Sequence, residues 1–271
     1  MSRNAAFDPN AIDLPARPQA LVELSLLLAQ EEINLRAAAR VVEQDMALSS
    51  AVLKTVNSPR YGLSVRVQSV QQALTYLGMR EVAALTFEAG LRGAFPHVPE
   101  VLALWDRAAR RGAIMGQLGQ LLSIEPWAAH SAGLFEECGK AVLFCHSPDH
   151  YRAMMRAAGS DAELCQLEQA GFGIGHDALG AVLCESWGLA PAAVACVRLH
   201  VQAQSAAPWP AHLPHPAMLA LSALARTLIE QPDALEETAA RLAGPARHEP
   251  AALLRAAQRV LAAQRAEQTR P

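Results

Sequence analysis

Glu136 and Glu137 are adjacent carboxylates, and two glutamates can in principle hold a metal. A carboxylate-only site favours a hard cation such as magnesium. A helix turns ~100° per residue, so neighbours on one helix point apart. The expectation is that one glutamate is solvated and the other pairs with a cation. His176-Asp177 is a literal His-Asp pair, but it follows Gly171-Phe172-Gly173-Ile174-Gly175, and helix capping or packing is favoured over metal binding there. The glycine stretch is not GxGxxG and follows no strand pattern, which argues against a nucleotide loop. His146 and His150 have i,i+4 spacing, but Pro148 between them breaks a shared helix face. His212 and His215 lie in a proline-rich stretch, where exposure is favoured over ligation. Ser131, beside His130, lacks the spacing of a nucleophile elbow. The cysteines Cys138, Cys145, Cys165, Cys184 and Cys196 are odd in number and none form CxxC, so neither a disulfide framework nor a zinc ribbon fits. They read as buried small hydrophobes.

The elements that must position these groups are helical throughout. Apolar residues recur every three to four positions, as in Leu21, Leu24 and Leu28 and in Leu48, Val52 and Val56. No convincing alternating strand pattern is present. Asn34 and Asp45 stand where N-caps belong, and Ser69 with Gln72 has capping-box spacing. Gly78 fits just past a helix end, and Arg80 to Gly93 reads as the next helix. Val101 to Leu122 reads as one long helix. Pro126 opens another, predicted to run toward Phe144, and Pro148 and Pro191 open two more. A proline-rich segment, Ala207 to Pro216, precedes three further helices at Ala217–Ile229, Ala234–Leu242 and Pro250–Arg265.

The hydrophobic fraction of 52% over 271 residues predicts a large buried core. The net charge is −3 with both signs mixed, and no basic block suggests nucleic acid. The apolar runs are far short of the ~20 residues a membrane span needs. The start, Met1 to Pro18, has no apolar core of secretory length, so a cytoplasmic location is expected, with no membrane partner.

Several segments, in order, resemble one family. Leu14-Pro15-Ala16-Arg17-Pro18-Gln19 is similar to an "LPxLPQ"-type entry segment, and Asp45 to Pro59 to a capped helix ending on Asn-Ser-Pro. Ser69 to Gly78 resembles "S-hydrophobic-xxAIxxLG", Ala132 to Lys140 resembles "AGLLHDIGK", and His176 to Pro191 resembles "H…G…L…WGLP". Trp105 stands where the second half opens. The resemblance is to the HDOD domains, signalling relatives of the HD metal phosphohydrolases. It covers roughly residues 14–205.

The resemblance implies an all-α fold, an N-terminal helical subdomain (14–96) packed on a degenerate HD-like helical bundle (97–205). Residues 1–13 would be an extension, and 206–271 a proline-rich linker with C-terminal helices. HD hydrolases hold a divalent metal with His and Asp side chains from several helices, because imidazole and carboxylate offer lone pairs and acidify bound water. Here the early His position falls at Arg107 or a neighbouring Ala, the His-Asp pair at Glu136-Glu137, and the late region keeps only groups such as Arg198 and His200. Arg107 brings a fixed charge and no lone pair, so an internal ion pair with Glu136 or Glu137 would replace the metal. The resemblance thus implies no catalytic metal, no cofactor and no enzyme activity. It implies a regulatory module whose partner is a signalling protein or a small-molecule ligand. The alternatives are a residual metal-dependent phosphohydrolase and a small-molecule sensor using a groove between the subdomains. Asn57 and Ser58 are expected to fix the turn that orients loop 59–68, with Arg60, Tyr61 and Arg66 exposed as a binding edge.

Overall fold

The computed structural model describes residues 12–16, 18–28, 30, 34–59, 61–204, 209–210 and 212–268, and no strand occurs among them. It divides into two compact units, Pro15–Leu102 and a second containing Ala103–Pro271.

The first unit contains α1 (Gln19–Leu28), α2 (Leu35–Gln44), α3 (Met46–Val56), α4 (Val70–Leu77) and α5 (Met79–Gly93). Three of these start on side-chain caps. The Asn34 carboxamide accepts from the Ala37 N–H, Asp45 accepts from the amides of Ala47 and Leu48, and Ser69 accepts from that of Gln72. The capping box differs from expectation in one bond. Gln72 Oε1 accepts from the Gln68 amide at 2.8 Å, one residue before the cap. Gly78, at φ +80, is both the end of α4 and the start of α5, a conformation an L side chain resists. The faces Leu48, Val52, Val56 and Val70, Ala73, Leu74 are buried, with Val82, Ala83 and Phe87 of α5 also in the core.

The division falls near the start of α6 (Pro99–Leu122). The second unit continues with α7 (Pro126–Phe135), α8 (Cys138–His146), α9 (Pro148–Ala157), α10 (Asp161–Phe172), α11 (His176–Ser186) and α12 (Pro191–Ala203). Then come α13 (Pro216–Glu230), a 3-10 turn at Pro232–Ala234, α14 (Leu235–Ala246) and α15 (Pro250–Gln268). The single helix expected from Pro126 to Phe144 is two, broken at Glu136-Glu137. Two close approaches hold the centre of this unit. A Cβ on Gly133 of α7 would stand 2.9 Å from the Arg111 carbonyl oxygen on α6, and one on Gly139 of α8 would stand 2.8 Å from the Gly180 nitrogen on α11. Glycine therefore lets these helix backbones nearly touch. Helix α13 packs on α7 and α12, and α14 and α15 close over it through Leu235, Leu242, Leu253 and Val260. Trp209 anchors the described part of the proline-rich segment by donating its indole N–H to the Ala203 carbonyl at 3.2 Å.

Candidate functional site

The break between α7 and α8 decides where the two adjacent glutamates point. Glu136 keeps helical angles (φ −52, ψ −40), but Glu137 (φ −102, ψ 10) leaves the helix before α8 begins. Both side chains nonetheless reach one guanidinium, and the expectation that one is solvated is corrected: both are buried. They meet at Arg111, which Gly133 allows to lie close to α7. Arg111 Nε is 3.5 Å from Glu136 Oε1, and a terminal guanidinium nitrogen is 3.2 Å from Glu137 Oε2. Neither contact has the alignment of a good hydrogen bond, so the attraction is chiefly Coulombic.

Other side chains complete the cluster. Lys140, in the first turn of α8, places Nζ 2.6 Å from Glu137 Oε1 and 2.7 Å from Asp161 Oδ1 at the start of α10. Gln204 Nε2 donates to the other Asp161 oxygen at 3.1 Å. The Ser222 hydroxyl on α13 donates to Glu136 Oε2 at 2.7 Å. Arg107 is at the rim, with its side chain 48% exposed and Nε 3.6 Å from Glu137 Oε2. Three carboxylates (Glu136, Glu137, Asp161) thus face three cations (Arg107, Arg111, Lys140). The expected ion pair exists, but the buried cation between the glutamates is Arg111, one helical turn after Arg107.

Electrostatics in this cluster favour charge despite burial. Burial works against the Arg111 cation, but Glu136 and Glu137 outweigh it and raise its pKa. Burial would raise Glu137, but Arg111, Lys140 and Arg107 hold it well below the carboxylate range. Lys140 is raised against burial by Glu137 and Asp161, and Asp161 is lowered against burial by Lys140. These opposing shifts describe mutual stabilisation of charged groups out of water.

A second buried network makes no hydrogen bond to these ion pairs among the described residues. Glu168 on α10 accepts from the Tyr151 hydroxyl at 2.6 Å and from the His176 backbone N–H at 2.7 Å. His176 Nδ1 is also 2.7 Å from Glu168 Oε2, and Cys165 Sγ is 3.4 Å from that same ring nitrogen. His176 thus begins α11 as a packed, bonded residue. His200 Nδ1 lies 2.7 Å from the Val197 carbonyl oxygen, so its N–H donates there. The two rings are 5.3 Å apart, and both Nε2 atoms are buried without a hydrogen-bond partner. Burial lowers the His200 pKa, offset in part by Glu136. Ligand atoms of Cys165, Glu168 and His176 lie within 4.8 Å of one another, close enough to share an ion. Glu168 is already taken by three donors, however, and His176 Nδ1 would have to release it to ligate.

In the first unit, Asn57 ends α3 and clamps a loop. Its Nδ2 donates to the carbonyls of Leu53 and Val67, and its Oδ1 accepts from the Val67 N–H, each at 2.8 Å. The Ser58 carbonyl accepts from the Tyr61 amide at 3.2 Å. Tyr61 is half-buried and donates its hydroxyl to Glu81 on α5 at 2.6 Å, so it ties the loop down and is no free edge. Arg66 is exposed. Arg60 lies outside the described residues.

No motif in the sequence marks Arg111, Asp161, Ser222, Tyr151 or Glu168 as site residues, and Lys140 is marked only by the segment Ala132 to Lys140. One signal was available for Arg111: it follows Arg107 by four residues and so shares its helix face.

The architecture matches solved structures. A candidate phosphohydrolase from Shewanella amazonensis superposes with a TM-score of 0.70 at 23% identity, covering 94% of this chain and 92% of that one. A candidate signal transduction protein from Marinobacter aquaeolei does so with a TM-score of 0.72 at 20% identity, covering 96% of this chain and 61% of that one. The fold is the all-α, HD-like helical fold of these structures. The HDOD domain model matches residues 14–203, and the chain belongs to the HDOD domain family. An uncharacterized protein of Treponema pallidum is 25% identical over 192 residues, 69% of this chain. The chain spans 17–37% of the length of the curated relatives it matches. No helix among the described residues is long and apolar enough to cross a membrane.

Proposed function

We propose that this chain is a non-catalytic regulatory module of signal transduction, acting by binding a protein or a small ligand. The carrying observation is the Arg111 guanidinium between Glu136 and Glu137, with Lys140 on Glu137 and Asp161. Glu136-Glu137 falls where the HD hydrolases carry their His-Asp pair. A divalent ion does not fit this donor set. Among the described residues no imidazole makes a hydrogen bond or ion pair with it, the glutamates' charge is already balanced, and Arg111 and Lys140 would repel a cation. Arg107, Glu136, Glu137 and His200 are on this reading vestigial metal-site positions, their role taken over by fixed internal charge. The signalling name carried by the Marinobacter aquaeolei structure agrees with this reading. The module extends past the matched residues, because Ser222 on α13 completes the hydrogen bonding of Glu136. We place it in the cytoplasm, where thiols such as Cys138, Cys184 and Cys196 stay reduced.

The test is elemental analysis of protein purified without chelators, together with phosphomonoester and phosphodiester hydrolysis in added manganese or magnesium. The reading predicts no stoichiometric metal and no metal-dependent turnover. One tightly bound ion per chain with metal-dependent hydrolysis would overturn it.

A further inference from the structure

We propose that the first unit carries a binding site for a phosphate ester of nucleotide size, in the cleft between α3 and loop 63–68. The cleft measures about 860 Å³ and is lined by Ser50, Leu53, Lys54, Asn57, Leu63, Arg66, Val67 and Gln68. That volume is within the ~300–1,000 Å³ typical of small-molecule sites. Its α3 wall is one helix face, since Ser50, Leu53, Lys54 and Asn57 are spaced three, four and seven apart. The opposite wall is the loop that Asn57 clamps through both backbone groups of Val67. This clamp sets Arg66, the residue before Val67, facing the same cleft as Lys54.

The lining has two cations and no acid, and neither Lys54 nor Arg66 has an ion-pair partner among the described residues. The clusters in the second unit differ, because there each buried cation already has its carboxylate. An anion is the missing complement. Ser50 and Gln68 add neutral hydrogen-bonding groups, while Leu53 and Leu63 give apolar surface for the body of the ligand. A phosphate ester meets both demands, because its charged oxygens engage Lys54 and the Arg66 fork and its organic part covers the leucines. The proposal deepens the ligand-binding side of the function above. It does not depend on the Arg111 cluster.

The experiment is titration calorimetry of the full chain at low salt with ADP, pyrophosphate and adenosine, free of divalent metal. ADP is expected to bind, pyrophosphate to bind more weakly, and adenosine not at all. Raising the salt should weaken ADP, because the cations are exposed. Lys54→Gln and Arg66→Gln should each weaken ADP about tenfold or more, a change of ~1.4 kcal/mol, with unaltered thermal melts showing that both variants fold. Absence of ADP binding at millimolar concentration would overturn the proposal. So would binding that both variants retain, or a glutamate-rich peptide that binds as well as ADP. None of these results bears on metal content or hydrolysis, so failure here is distinguishable from failure of the non-catalytic reading.

Discussion

The Asn57 corner and the Glu136-Glu137 junction both end a helix on polar side chains, yet they are held by different physics. At Asn57, one neutral carboxamide makes three bonds to backbone groups no more than ten residues away. At the junction, charged side chains from α6, α8 and α10 and a hydroxyl from α13 are brought together out of water. A neutral clamp can fail locally. A buried charge cluster fails as a whole, because removing one member leaves an uncompensated ion.

The largest expected effect follows from that difference. Arg111→Met should destabilise the protein by ~3–5 kcal/mol, as when one partner of a buried ion pair is lost. Urea denaturation measures this, and a loss under ~1 kcal/mol would show that water reaches the glutamates.

Asn57→Ala should cost less, ~1–3 kcal/mol, the range for leaving buried backbone groups unsatisfied. Its effect should be confined to the first unit, read as faster amide exchange at Val67, whose N–H loses its acceptor. It should also weaken ADP in the α3 cleft, because Arg66 loses its support. An unchanged melt with complete loss of ADP binding would instead make Asn57 a direct contact.

Acid should act on the second unit first. Glu137 and Asp161 are held below their ordinary range, so the stability they add is present above the unfolded carboxylate pKa of about 4 and is lost as pH falls from there through the folded values. His130, which burial pushes from 6.5 down to about 4, contributes an earlier loss. As pH drops below the unfolded value, the unfolded chain takes up a proton that the folded one refuses. Melting temperature should therefore decline from about pH 6.5 downward and more steeply below about pH 4–5. A flat profile between pH 7 and 4 would contradict the buried assignments.

The smallest effect belongs to Arg107. Its side chain is half-exposed and 3.6 Å from Glu137, so Arg107→Met should cost only ~0–1 kcal/mol. Parity with Arg111→Met would move the centre of the cluster to the rim.

The same contrast explains what the sequence made legible. Asn34, Asp45 and Ser69 cap their helices as their residue types and spacing indicated, because a cap bonds amides two or three residues away. The Asn57 turn is local in the same way. The all-α fold was legible from period and from the ordered motif segments. The ion cluster was legible only in part, because Glu136 and Glu137 stood out only through the resemblance, at its His-Asp position. Arg111 was hidden beside Arg107 and Arg110, and its selection depends on Gly133 admitting α6. Ser222 lies 86 residues beyond Glu136, with no local pattern to link them. The direction of Glu137 depends on a helix break that the apolar period does not show, since Phe135 and Cys138 continue it.

On the proposed reading, fixed internal charge holds together the junction where the HD hydrolases bind a metal. The most direct measurement is a double-mutant cycle on stability with Arg111→Met and Glu137→Gln. The account predicts that the double variant recovers part of the loss caused by Arg111→Met, with a coupling of ~1–3 kcal/mol between the two sites. Additive losses within error would mean that Arg111 and Glu137 do not stabilise one another, and that the charge-replacement account is wrong.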